Sequence, residues 1–118
     1  MIVRKQSLTP IAFDGLQIFD YTSDADLPSS MAFIEVPAGA SHPRAWSRRS
    51  GKYYLVADGE VEFAIGDQPT TLTKGDFCYI EQGETFSYEN TSGKPAALVL
   101  AQTPAFDLSA EVFVAPSR

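Results

Sequence analysis

The apolar positions along the chain fall into short runs and form no helical stripe. Runs rich in valine, isoleucine, phenylalanine and tyrosine alternate with glycine, proline, aspartate and serine. Such runs, bounded by turn-forming residues, are typical of β-strands. The pattern predicts strands at Ile11–Phe13, Gln17–Tyr21, Met31–Val36, Arg44–Arg48, Lys52–Asp58, Glu60–Ile65, Thr70–Thr73, Phe77–Ile80, Thr85–Asn90, Ala96–Gln102 and Glu111–Val114.

Turn signals separate these runs. The dipeptide Asp58-Gly59 lies between two alternating runs and is a strong hairpin signal. Glycine-centred turns are also predicted at 74–76 and 82–84. Many short strands joined by turns predict an antiparallel all-β sandwich or barrel, and closure of a barrel would protect the strand edges from aggregation.

The composition fits one globular domain. A chain of 118 residues with 44% hydrophobic residues can bury a core without disulfide bonds. Nine lysines and arginines stand against fifteen acidic residues, which gives a formal charge of −6. Such a surface repels phosphate backbones, so we expect no nucleic-acid partner.

Two residue types occur only once. The single cysteine, Cys78, excludes an intrachain disulfide, favours a reducing compartment and is predicted to be buried core. The single histidine, His42, excludes metal sites that need a histidine pair. No run approaches the roughly 18 apolar residues of a membrane helix, and the start of the chain lacks a signal-peptide pattern. We therefore expect a cytoplasmic protein with no membrane segment.

The stretch 39–59 resembles the first motif of the cupin superfamily. Gly39 and Gly59 stand at the glycine positions of that motif. The family members that bind a metal carry two histidines and a glutamate between these glycines. In this chain the three positions hold Ala45, Ser47 and Lys52.

The stretch 75–90 resembles the second cupin motif. Gly75, Gly83 and Asn90 match its turn-forming positions, whereas Glu81 stands where the family has proline. The metal-binding histidine of this motif is replaced by Phe86. The resemblance implies a double-stranded β-helix barrel of the jelly-roll type, mostly antiparallel, as a single domain over 1–118.

The metal chemistry of the superfamily does not transfer to this sequence. None of Ala45, Ser47, Lys52 and Phe86 is a usual ligand for a transition metal. A lysine ammonium would also repel a cation at the same place. The sequence therefore predicts a metal-free cupin with no cofactor. The oxygenase and decarboxylase activities of metal-dependent relatives are not expected.

The replaced positions still predict a pocket. Residues two apart share one face of a strand, so Tyr54 and Tyr88 point the same way as their motif neighbours. The candidate ligand-binding residues are Ser47, Lys52, Tyr54, Phe86 and Tyr88. A desolvated Lys52 could hold an anion, act as a base or form a Schiff base. Alternatively, it leans into solvent after the preceding turn.

The residues beside the first motif have two interpretations. His42 lies in an apparent loop and is either a base at the rim or a histidine that caps a turn. Arg44, Arg48 and Arg49 could steer an anionic ligand. They could instead form a solvated rim or pair across a subunit interface.

Three functions stay open from the sequence. The first is a metal-free barrel that binds a small-molecule ligand, with anionic metabolites among the candidates. The second is a metal-independent isomerase, epimerase or lyase that acts on a sugar or a small acid. The third is a structural or interaction barrel whose centre is plugged by Phe86. The resemblance and the strand edges also predict a homodimer, with Glu111–Val114 among the strands that could be exchanged.

Overall fold

The computed structural model describes residues 1–115, which form eleven strands and two short 3-10 helices. The helices are Lys5–Ser7 and Leu108–Ala110. The strands are β1 (Ile11–Phe13), β2 (Leu16–Asp20), β3 (Ser30–Val36), β4 (Ser41–Ser47), β5 (Gly51–Asp58), β6 (Glu60–Ile65), β7 (Gln68–Thr73), β8 (Phe77–Ile80), β9 (Phe86–Glu89), β10 (Ala96–Thr103) and β11 (Glu111–Phe113).

The strands form two sheets. One sheet has six strands in the order β1-β2-β3-β10-β5-β8, and the other has five in the order β11-β4-β9-β6-β7. Every pairing within them is antiparallel. The last strand, β11, pairs with β4 of the same chain. In residues 1–115 no helix has the length and apolar character needed to cross a membrane.

All eleven predicted strands are present, and most differ from the prediction by a residue or two at their ends. The exception is β4, which begins at Ser41 and therefore contains His42 and Pro43. The pairing of β4 with β9 shifts register between His42 and Ala45, so Pro43 lies at a bulge. A bulge is one of the few places in a sheet that tolerate a residue without an N–H donor. The placement of His42 in a loop was wrong for this reason.

Alternation along β5 and β10 sets which side chains enter the core. In β5, Tyr54 and Val56 are buried, whereas Tyr53 and Leu55 are exposed. In β10 the inward positions end at Gln102, which is buried although it is polar. Fifteen buried apolar residues form one cluster between the sheets, and Cys78 packs against it while only partly buried.

Two motif positions are explained by local geometry. Gly59 has a φ of +70°, and a Cβ there would lie 2.7 Å from the Pro95 carbonyl oxygen. Asn90 is fully buried and donates from Nδ2 to the carbonyl oxygens of Val36, at 2.9 Å, and Lys94, at 2.6 Å. Both residues thus hold turns in place, which is a structural role.

Candidate functional site

A cavity of about 290 Å³ opens between the two sheets. Its large apolar side chains come from the first two strands, from the segment before β11 and from β11 itself: Ile11, Phe13, Ile18, Phe106, Leu108 and Phe113. Five polar side chains also line it: Asp20, His42, Lys52, Gln102 and Glu111. Mostly apolar walls with a few placed polar groups are typical of small-molecule sites.

Lys52 is buried in this cavity. Its residue is 3% exposed, so the interpretation of Lys52 as a solvent-facing lysine was wrong. The Nζ atom donates to Gln102 Oε1 at 2.6 Å and to Glu111 Oε1 at 2.5 Å. Burial lowers the pKa of Lys52, and the hydrogen bond and charge of Glu111 oppose that lowering.

The partners of Lys52 come from separate parts of the chain. Gln102 lies directly opposite Lys52 in the pairing of β10 with β5. Glu111 stands 59 residues after Lys52 and belongs to the other sheet. The ion pair therefore joins the two sheets at the cavity. Neither Gln102 nor Glu111 was predicted from the sequence as a partner of Lys52. Alternation from Leu98 through Leu100 would have pointed Gln102 inward, but no local signal marks Glu111.

The ring of His42 is packed among aromatic side chains at the cavity wall. Its centroid lies 4.9 Å from that of Phe86 and 5.3 Å from that of Tyr88. Phe13 and Phe113 lie at 5.5 and 6.4 Å. Burial therefore lowers the pKa of His42 from its usual 6.5, which leaves the imidazole neutral at pH 7.

One hydrogen bond fixes the tautomer of His42. The Nδ1 atom lies 2.7 Å from the carbonyl oxygen of Pro43. A carbonyl oxygen can only accept, so Nδ1 carries the hydrogen and Nε2 keeps its lone pair. Nε2 is then the nitrogen that can accept a proton, as a general base requires.

An aromatic cluster fills the centre of the barrel beside the cavity. Tyr54, Phe63, Phe86 and Tyr88 are each 1–2% exposed, and their ring centroids lie 5.2 to 6.2 Å apart. Burial raises the pKa of both tyrosines, so their hydroxyls stay protonated. In residues 1–115, the Tyr88 hydroxyl is the one buried side-chain polar atom without a hydrogen-bond partner.

The five predicted ligand-binding residues therefore do not form one surface. Lys52 lines the cavity, whereas Tyr54, Phe86 and Tyr88 belong to the adjacent aromatic cluster. The Ser47 hydroxyl accepts from the backbone N–H groups of the turn after β4, at 2.9 and 3.1 Å. Ser47 is buried and has a structural role in that turn.

The three neighbouring arginines do not converge on the cavity. Arg44 pairs with Asp67 at 3.3 Å on the surface. Arg49 donates from Nε to the Ala105 carbonyl oxygen at 2.8 Å. Neither these residues nor Arg48 lines the cavity. Their side chains contribute no positive charge to its wall.

The donor set at the four motif positions does not fit a metal ion. Ala45 and Phe86 have no donor atom, the Ser47 hydroxyl is engaged by backbone N–H groups, and Lys52 brings a positive charge. Within residues 1–115 no three histidine, cysteine, aspartate or glutamate side chains are grouped as a metal site requires.

The comparisons with known proteins establish the family. The sequence profile of the cupin domain family matches residues 32–101, more than half of the 118 residues. The chain therefore belongs to the cupin domain family, as the motifs predicted. A search of curated proteins gives no match.

Solved structures agree with this assignment. A predicted oxalate decarboxylase from Thermotoga maritima is 20% identical, with a TM-score of 0.81 over 88% of this chain and 99% of that chain. A Klebsiella pneumoniae protein with a double-stranded β-helix domain is 15% identical, with a TM-score of 0.79 over 98% and 97%. At these identities the likeness shows the fold, which confirms the predicted cupin double-stranded β-helix.

A third similar structure is the nucleoside dehydratase Pac13. It is 18% identical and has a TM-score of 0.84 over 97% of this chain and 90% of that chain. The Streptomyces protein has also been solved with uridine, as a histidine-to-glutamine variant and as two tyrosine-to-phenylalanine variants. This likeness, too, shows the fold alone.

Proposed function

We propose that this cupin is a metal-independent lyase that removes water from a small, uncharged, hydroxylated metabolite such as a sugar or a nucleoside. The observation that carries the proposal is His42, a neutral imidazole at the cavity wall with Nδ1–H held by the Pro43 carbonyl. Its Nε2 can take a proton from a substrate carbon. The imidazolium then returns that proton to the leaving hydroxyl, so that water departs and the ring becomes neutral again.

The charges of the cavity support an uncharged ligand. Lys52 contributes one formal positive charge, whereas Glu111 and Asp20 contribute two negative ones. The Lys52 ammonium is already neutralised by the Glu111 carboxylate at 2.5 Å. An anion would meet a net negative wall, so an anionic metabolite is the weaker candidate.

The size of the cavity supports a single small molecule. Its volume of about 290 Å³ lies at the lower end of the range of roughly 300–1,000 Å³ typical of ligand sites. Pac13, which shares the fold, is a nucleoside dehydratase and has been solved with uridine. That precedent supports dehydration of an uncharged hydroxylated substrate on this type of barrel.

Binding and turnover can be tested on one panel of compounds. The purified protein is incubated with monosaccharides, small sugar acids and nucleosides, and the loss of one water is followed by mass spectrometry. We expect an uncharged compound to be dehydrated and His42→Gln to abolish turnover while thermal stabilisation by the compound is kept. Equal turnover by the wild type and His42→Gln would contradict the proposal.

A second candidate is a barrel that binds such a ligand without turnover. This candidate is favoured by the hydrogen bonds that Lys52 donates to Gln102 and Glu111. These bonds hold the three side chains in place as a polar surface for a ligand before any substrate is bound. Thermal stabilisation without any product, in the wild type and in His42→Gln alike, would select this function. Stabilisation by none of the compounds would favour the structural role that the filled aromatic centre suggests.

A further inference from the structure

Lys52 has the surroundings of a lysine that forms covalent adducts. The Nζ atom faces the cavity and lies 5.7 Å from the ring centroid of Phe86 and 5.8 Å from that of Phe106. Its polar contacts among residues 1–115 are the oxygens of Gln102 and Glu111. A nucleophilic amine needs such a water-poor site together with a group that can take its proton.

Building on the proposed function, we propose that Lys52 forms an imine with the carbonyl carbon of an aldehyde or ketone substrate, with Glu111 carrying the protons. The substrate class is thereby narrowed to carbonyl compounds that have a hydroxyl group on the β-carbon. Nothing in the cupin motifs assigns this role to Lys52.

The proposed step balances without any further reactant. The Lys52 ammonium first gives a proton to the Glu111 carboxylate, and the neutral amine attacks the carbonyl carbon to form a C–N bond. A proton moves from nitrogen to the former carbonyl oxygen, which gives a carbinolamine. Glu111 then protonates the hydroxyl, the C–O bond breaks, and water leaves behind a protonated imine paired with the Glu111 carboxylate.

The adduct would connect Lys52 with the chemistry proposed for His42. A protonated imine withdraws electrons and acidifies the hydrogen on the neighbouring α-carbon. A neutral His42 can then remove that hydrogen, and the resulting imidazolium protonates the β-hydroxyl, which leaves as water. A water molecule then hydrolyses the unsaturated imine, which releases the carbonyl product and returns the Lys52 amine. Both residues line the same cavity, as these consecutive reaction steps require.

The ionisation of Lys52 agrees with this role. Burial lowers the pKa of its ammonium, which makes loss of the proton easier than for an exposed lysine. Glu111 opposes the lowering and is also the acceptor, so the proton moves by a short transfer within the pair at 2.5 Å. Lys5, by contrast, has a side chain that is 41% exposed and lies 3.8 Å from Glu35 on the surface, so it lacks the desolvation of Lys52.

Reductive trapping tests the imine on the intact protein. The protein is incubated with glyceraldehyde and sodium borohydride, and the labelled lysines are mapped by peptide mass spectrometry. We expect the adduct at Lys52 in clear excess over the exposed Lys74 and Lys94, which are internal controls. Equal or greater labelling of the exposed lysines would overturn the proposal, and this measurement needs no variant to fold.

Two variants separate this inference from the proposed function. Lys52→Arg keeps the charge but cannot form an imine, so we expect the label and the dehydration both to be lost. Dehydration that persists in Lys52→Arg would refute the imine and leave the lyase standing, whereas labelling of Lys52 without any dehydration would refute the lyase alone. Glu111→Gln is expected to slow labelling about 100-fold, as loss of a general acid–base group does.

Discussion

Lys52 and Glu111 form a buried ion pair, and either charge alone would destabilise the core. Their side chains are 4% and 9% exposed, and no third charged group is within ion-pair distance of them in residues 1–115. Removing one partner of such a pair leaves an uncompensated buried charge, whereas removing both can be nearly neutral. The pair is therefore expected to behave as a unit in stability measurements.

Lys52→Met is expected to lower the free energy of unfolding by about 3–5 kcal/mol, because Glu111 is left unpaired. The double variant Lys52→Met with Glu111→Leu is expected to recover most of that loss. Urea unfolding of the three proteins measures both effects. A double variant no more stable than Lys52→Met would contradict this account.

His42 makes stability depend on pH in a predictable direction. Its folded-state pKa lies below the usual value of 6.5 because of burial. The unfolded chain therefore binds more protons once the pH falls below about 6.5, and stability is lost as the pH drops towards the folded-state pKa. We expect the wild type to lose more stability than His42→Gln between about pH 7 and pH 5. Parallel pH profiles of the two proteins, measured by urea unfolding, would refute the prediction.

The hairpin of β5 and β6 depends on a close backbone approach at Gly59. A Cβ there would lie 2.7 Å from the Pro95 oxygen and 2.9 Å from Ala96 Cα, whereas Gly93 has a φ of +80° with nothing within 4 Å of its Cβ position. Both positions have positive φ, so Gly93→Ala controls for the backbone strain. We expect Gly59→Ala to cost about 1–3 kcal/mol more than Gly93→Ala, as overpacking does. Equal losses of stability in thermal unfolding of the two variants would contradict this prediction, because they would show that the backbone around Gly59 can move apart at no cost.

The strands could be predicted because the sequence pattern of a strand is local. The contacts of the candidate site could not be predicted, because they join residues that are far apart in the sequence. Alternation in β5 placed Tyr54 on the inward face, where it is buried, but left Lys52 open between the pocket and solvent. The bulge that accommodates Pro43 has no local signature beyond a proline, which usually marks a turn. The pairing of Lys52 with Glu111 joins strands of different sheets, and register between distant strands cannot be read from either one alone.

The outer face of the six-stranded sheet carries a cluster of exposed apolar side chains that suits contact with a second copy. Tyr53, Leu55, Phe77 and Tyr79 on β5 and β8 are 39%, 42%, 57% and 42% exposed, and the Tyr53 and Tyr79 rings lie 4.8 Å apart. Clustered exposed apolar side chains of this kind mark interaction surfaces. We expect the predicted homodimer to form through this face, and the exchange of Glu111–Val114 stays a separate prediction.

Light scattering tests this arrangement. We expect Leu55→Glu combined with Phe77→Glu to convert a dimer into a monomer, because two carboxylates would be buried without partners at the interface. Gln68→Glu on the exposed strand β7 of the other sheet is the control and is expected to stay dimeric. A monomeric wild type at micromolar concentration would remove the homodimer altogether.

The ion pair of Lys52 with Glu111 also determines how ligand binding responds to dissolved salt. Mobile ions screen charges that are exposed to solvent, and they screen buried pairs much less. An uncharged ligand has no long-range electrostatic attraction to this neutral ion pair. Its binding free energy therefore contains no contribution that salt could screen. We therefore expect its dissociation constant to stay nearly constant from dilute buffer to high potassium chloride, whereas a tenfold weakening in calorimetric titrations would indicate an anion held by an open ammonium.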